Sequence, residues 1–358
     1  MTAPHREEPP VVIRIYVRLA LVALWSVGAA TALHSQWTAT DPHSRASFRG
    51  LSVAPDGAVW VGGTGGTVLR STDGGATWTA DSVPGARSFD FRGVAGIDAH
   101  TAFVMVASAD TARIYQTADG GASWTLQYSD QRPGVFLDGI GCWSARRCLA
   151  AGDPIAGRFV VITTIDGGAH WSPLASAVAP AALPGEAAFA ASNSSIGTGP
   201  NGRAWIGTGG GPVARVWRSA DFGATWTVAA TPVTAGGASA GIFSLAFCDG
   251  RRGVAVGGDY TKPAMPGAHV AATADGGLTW TAADTAHHTP YLSSVACVSS
   301  NGQRYIGVGP AGTATSADGG VIWTSVDHDG YNAVAAVRGA VIAVGADGHT
   351  GRITGDIP

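Results

Sequence analysis

Only 13% of this 358-residue chain is charged, so each ionisable group near a strand start or a loop is a candidate for chemistry. Arg49, Asp90, Arg92, Asp138, Glu186, Ser192, Phe243 and Tyr291 stand at or just before apolar runs that read as strands. A second set occupies loops between strands: Asp153, Arg158, Arg215, Asp259, Tyr260 and Lys262. Glu186 is the only Glu beyond Glu7 and Glu8, and Lys262 is the only Lys. Two carboxylates held roughly 6.5–9.5 Å apart across a cleft would run an inverting glycoside hydrolysis. Asp138, Asp153 and Asp259 are the acids available for that. The same acids paired with arginines would instead line a wet channel or make polar contacts to a ligand. Nothing in their spacing separates these uses, so no residue is assigned a catalytic role.

Other chemistries lack their residues. The ten His are scattered, and the one adjacent pair, His287-His288, falls in a loop. There is no H-E-x-x-H and no C-x-x-C, so no metal site is expected. G-T-G-G-G at 207–211 lies between two strands, whereas a phosphate loop leads into a helix, so no nucleotide or other cofactor is expected. A net charge of −3 gives no basic footprint for nucleic acid. Cys142 and Cys148 sit on two strands of one hairpin, where a bridge is open to them. Cys248 and Cys297 lie in different repeats and read as buried free thiols.

The elements that position these residues come from a repeat. An octapeptide reads S-T-D-G-G-A-T-W at 71–78, T-A-D-G-G-A-S-W at 117–124 and T-I-D-G-G-A-H-W at 164–171. It continues as S-A-D-F-G-A-T-W at 219–226, T-A-D-G-G-L-T-W at 273–280 and S-A-D-G-G-V-I-W at 316–323. Its aspartates are 46, 47, 55, 54 and 43 residues apart, a period that suits a four-stranded propeller blade. The composition agrees. Gly makes up 52 residues and the Lys/Glu filling of exposed helices is missing, while 46% hydrophobic residues and 12 Trp supply a core. D-G-G is turn chemistry, with Asp accepting from amides ahead of it and Gly supplying positive φ. Asp73, Asp119, Asp166, Asp221, Asp275 and Asp318 are therefore structural, closing the hairpin between third and fourth strands. An apolar strand ending in Gly precedes each hairpin, as in V-W-V-G-G (59–63) and V-A-V-G-G (254–258).

After the sixth box come three more strand patterns, at 331–336, 341–345 and 351–355, and no box. Gln36-Trp37-Thr38-Ala39 resembles the A-T-W-T-A of 76–80 and has no inner strands before it. The expectation is a seven-bladed, all-β propeller over 34–358 whose last blade takes its outer strand from the N-terminal side. A six-bladed ring with a leftover C-terminal hairpin is the alternative. Ligands of propellers gather at the channel mouth, where inner-strand starts and neighbouring loops converge. That is where the candidate residues fall.

The octapeptide is the Asp-box, or BNR repeat, and the chain resembles the Asp-box β-propellers. It lacks the R-I-P motif of the sialidases. It is more similar to bacterial members of the photosystem II stability/assembly factor-like family. That resemblance rests on S-F-R-G-L-S-V (47–53), D-F-R-G-V (90–94), G-D-P-I-A-G-R-F-V-V-I-T-T-I-D-G-G (152–168), G-E-A-A-F-A-A-S (185–192) and G-V-A-V-G-G-D-Y-T-K-P (253–263). It spans about residues 35–355 and implies a non-enzymatic scaffold that holds a membrane-protein subunit. The expected function is protein or peptide binding at the channel mouth by a monomer. A glycoside hydrolase is the alternative, in preference to an oxidoreductase. Leu19 to Leu33 carries no charge, and Ala30-Thr31-Ala32 offers a cleavage site. Residues 1–33 are therefore expected to be a signal peptide or, through 11–33, a membrane anchor, placing the propeller in the periplasm or outside the cell.

Overall fold

A computed structural model describes residues 1–2, 37–175, 177–283 and 289–355. The expected leader and His287-His288 lie outside the described residues. The unit beginning at Leu33 is built from seven four-stranded antiparallel sheets. Each is a meander, blade 1 running Phe48–Val53, Val59–Gly63, Thr67–Ser71 and Thr79–Ser82 from the axis outward. Blades 2 to 6 repeat that order. Blade 7 consists of Ala333–Val337, Ala340–Val344 and Thr350–Thr354, and Thr38–Ala39 pairs with the last of these as its outer strand. Seven blades, closed from the N-terminal side, replace the six-bladed alternative.

Packing explains why the ring holds. Seven apolar clusters each lie between two neighbouring blades. One joins Phe48 and Leu69 of blade 1 to Ile342 and Val344 of blade 7. Another joins Ile306 and Val308 of blade 6 to Tyr331 and Val341 of blade 7. Each sheet thus buries both faces against its neighbours, and no blade has a core of its own.

The box works as its residues dictate. In blade 1 the Ser71 hydroxyl donates to Asp73 Oδ1 at 2.7 Å and accepts from the Gly75 amide at 2.8 Å. Asp73 accepts from the Thr77 amide at 2.9 Å and hydroxyl at 2.6 Å. Equivalent bonds recur around Asp119, Asp166, Asp221 and Asp275. The Ser123 hydroxyl and amide hold Asp119 down at about 2. Burial opposes ionisation of Asp73, but its hydrogen bonds outweigh that and hold it at about 2.

Two disulfides are present. Cys142–Cys148 crosses one hairpin of blade 3, and Cys248–Cys297 ties blade 5 to blade 6. The second corrects the expectation of free thiols. Cys248 follows the inner strand of blade 5 and Cys297 ends that of blade 6, and ring packing brings their Cα atoms to 5.6 Å.

Candidate functional site

Four inner strands share one local feature. The ladder register slips between Phe48 and Gly50, Phe91 and Gly93, Leu137 and Gly139, and Ile242 and Ser244. The residue left over each time is Arg49, Arg92, Asp138 or Phe243. A β-bulge re-aims its extra side chain, and here four bulges present two arginines, an aspartate and a phenylalanine to the channel mouth. Glycines opposite make room. A Cβ on Gly152 would run into the Phe136 carbonyl oxygen, and one on Gly257 into that of Gly241.

Around these side chains lies a cavity of about 560 Å³. Its wall is sorted by chemistry. Blades 1 and 2 supply Arg49 and Arg92, blade 3 supplies Asp138 and Asp153, and Phe189, Phe243, Tyr260 and Tyr291 form an aromatic side. Phe189 stacks on Phe243 with centroids 4.0 Å apart, and Tyr291 meets Phe243 edge-on at 5.0 Å. Burial pushes the Tyr291 hydroxyl up, so it stays protonated.

The two arginines differ. Arg92 Nε donates to Asp90 Oδ2 at 2.7 Å, and its Nη1 reaches the Ala190 carbonyl at 3.4 Å. Arg49 has no ion pair among the described residues. Burial, and then the positive charge of Arg92, push it below the ordinary arginine value. A guanidinium remains charged even so, and Arg49 lines the cavity with the charge of Asp90 nearby but with no ion pair of its own among the described residues.

The acids are the reverse case. Asp138 is 1% exposed, and its Oδ2 has no hydrogen-bond partner. Burial, reinforced by the charge of Asp153, pushes it well above the usual carboxylate range. Asp153 is also pushed up by burial, and accepts from the Ala188 amide at 3.1 Å. A carboxyl whose folded value is raised contributes stability below its unfolded value near 4, and loses it as pH rises through the folded value. Asp138→Asn is therefore expected to stabilise the protein at pH 8 by on the order of 1 kcal/mol, with the gain vanishing near pH 4. Denaturant unfolding at the two pH values measures this, and a gain that does not change with pH would refute the assignment of a buried, proton-holding Asp138.

The remaining candidates stand outside the cavity wall. Glu186 is fully buried in an ion pair with Arg215, whose Nε donates to Oε1 at 2.8 Å. Thr208 and the Leu183 amide fill the remaining positions on that carboxylate. The pair pins the segment that carries Ala187 to Ala191 into the mouth, so it positions the site from behind. Ser192 donates to the Ser293 carbonyl at 2.8 Å and fixes the other end of that segment. Asp90 serves Arg92. Arg158 donates to the Ala179 carbonyl at 2.9 Å and does not line the cavity. Asp259 accepts from the Thr261 hydroxyl, which holds it at about 2, and lies 3.6 Å from Lys262. Among the described residues no cluster of His, Cys, Asp and Glu could hold a metal ion. Sequence reasoning missed Phe136, Phe189 and Asn332, which also line the cavity. Phe136 opens the F-L-D-G-I-G run, so its aromatic start was a usable signal. Phe189 and Asn332 offered none.

Fold and site together define a closed seven-bladed β-propeller with a charge-sorted cavity at one channel mouth. Among solved structures the chain is similar to "YCF48 bound to D1 peptide", at 17% identity and a TM-score of 0.64, covering 89% of this chain and 97% of that one. It is also similar to YCF48 from Cyanidioschyzon merolae, at 15% identity and a TM-score of 0.63, covering 89% and 98%. Identities this low establish the shared architecture. No family model and no curated protein sequence matches the chain.

Proposed function

We propose that this chain is an exported, non-enzymatic β-propeller that holds a protein or peptide partner of the cell envelope at its channel mouth, in the manner of a photosystem II assembly factor. The observation that carries this reading is the sorted cavity. A guanidinium outside any ion pair, a carboxyl pair holding a proton and an aromatic shelf offer one peptide a charged contact, a hydrogen-bond donor and an apolar pocket. A cavity of about 560 Å³ has the size of a pocket for a few side chains. The solved propeller of the same architecture was captured with a D1 peptide, which supports a peptide as occupant. Two disulfides support an oxidising, exported location.

One observation favours the hydrolase reading as a second choice. Asp138 keeps a buried, unpartnered oxygen beside a second acid. The two readings separate in one experiment. Partner capture from envelope extract is compared for the native chain, Arg49→Ala and Phe243→Ala, alongside an aryl-glycoside assay. Binding at the mouth predicts at least about a tenfold loss of capture in each variant and no turnover. Undiminished capture by both variants rejects the site. Turnover that disappears in Asp138→Asn selects the hydrolase.

A further inference from the structure

The repeat is its own internal standard, and its departures converge. In an antiparallel meander the first and third turns emerge at the same end of the sheet. All box loops therefore share one face of the ring, opposite the mouth cavity. In boxes 1 and 2 the loop side chains are small, apart from the structural aspartates and tryptophans. In boxes 3 to 6 large apolar residues replace small ones or Gly, and they stay in solvent. Ile165 is 66% exposed, Phe222 40%, Leu278 54%, Val321 48% and Ile322 42%.

Phe222 is the strongest departure. It stands where the other five boxes have Gly, and it keeps the left-handed φ of 62° that Gly adopts there. A bulky residue in that region is strained. Packing against Trp143, with centroids 5.4 Å apart, recovers some of this while leaving the ring part-exposed.

The turns beside two of these loops, those of boxes 3 and 5, carry arginine. The Gly167 amide of box 3 donates to the Arg146 carbonyl at 3.0 Å, and the Gly276 amide of box 5 to the Arg251 carbonyl at 2.8 Å. Arg146, Arg251 and Arg252 are exposed, and Arg147 lies over the Phe222 ring at 4.4 Å. The box carboxylates of these blades are tied to amides and hydroxyls inside their own loops. The equivalent turns of blades 1 and 2 carry Asp56 and Asp98 and no arginine, whereas the blade 5 turn sets two arginines against its one aspartate, Asp249, which lies 4.0 Å from Arg252.

We propose that the box face of blades 3 to 6 docks on an anionic lipid bilayer. The apolar side chains come from four successive blades, with arginines beside those of blades 3 and 5. Ring geometry sets them at one height, so a plane touches all of them at once. A bilayer surface offers that plane, with apolar depth for the box tips and headgroup phosphates for the arginines. Among the described residues no helix is long and apolar enough to cross a membrane, and this face needs none. Docked this way, the mouth cavity points away from the lipid.

The test is vesicle co-sedimentation of the full chain on phosphatidylcholine with and without phosphatidylglycerol. Binding is expected to need the anionic lipid and to weaken in high salt. Arg146→Ser/Arg251→Ser/Arg252→Ser should lose about fivefold per arginine, roughly a hundredfold together. Ile165→Ser/Leu278→Ser/Ile322→Ser should lose at least about tenfold. Arg87→Ser, an exposed arginine before the inner strand of blade 2 at the mouth side, should bind like the native chain. Hydrogen exchange on the bound chain should slow at 165–168, 278–279 and 321–322 but not at 72–77. Equal binding by all variants with no slowing at those loops overturns the proposal. So does absence of vesicle binding while the face variants lose a protein partner.

Discussion

Removing Trp37 to Thr40 is expected to cost about 5 kcal/mol and to lower the melting midpoint by roughly 10 °C. These four residues touch three blades. Trp37 Nε1 donates to Thr313 of blade 6 at 3.0 Å, and its ring packs on Tyr331 of blade 7 at 5.0 Å. Thr38 and Ala39 pair with Arg352 and Gly351 of blade 7. Thr40 receives a hydrogen bond from Trp78 of blade 1 at 3.1 Å. Deletion also uncovers Thr350–Thr354 as an unpaired edge, so the shortened chain should associate at high concentration. Calorimetry with light scattering measures both effects. Unchanged melting would mean that the inter-blade clusters close the ring without this strand.

The second large effect belongs to Cys248–Cys297. Replacing both cysteines by Ala is expected to cost about 4 kcal/mol, from the entropy that a loop of this length regains in the unfolded chain. Replacing Cys142 and Cys148, only six residues apart, should cost about 2 kcal/mol on the same account. Denaturant unfolding of the two double variants decides. A larger loss from the short hairpin bridge would contradict the chain-entropy ordering.

How far the sequence could be read depended on whether a residue acts locally. The box is a local device, since Asp73 and Asp119 bind atoms within four positions of themselves. Six copies therefore showed the architecture, and Trp37-Thr38-Ala39 showed its closure, because the pattern needs no distant partner. The disulfide between blades 5 and 6 is a contact around the ring, and spacing along the chain does not encode it. The mouth divides the same way. Arg49, Arg92 and Asp138 were found because charges are scarce in this chain and these stand at the starts of apolar runs. Their bulges were not, because a one-residue slip in register leaves the hydrophobic pattern nearly intact. Glu186 and Arg215 drew notice as scarce charges, yet they bind each other. Phe189 entered the cavity on the 22-residue connection between Ser172–Pro173 and Ile196–Gly199, which has no counterpart in the other blades to compare with.

A blade assembled from both ends of the chain has a kinetic consequence. As the polypeptide is delivered in order, Thr38–Ala39 appears first and its partner strand Thr350–Thr354 last. Six sheets can stack on one another in the meantime, but the seam between first and last stays open until Thr350–Thr354 has emerged. Folding should therefore end in one slow step of very high contact order, and a stalled or truncated product would carry a sticky, half-built circle that only a chaperone or protease could clear.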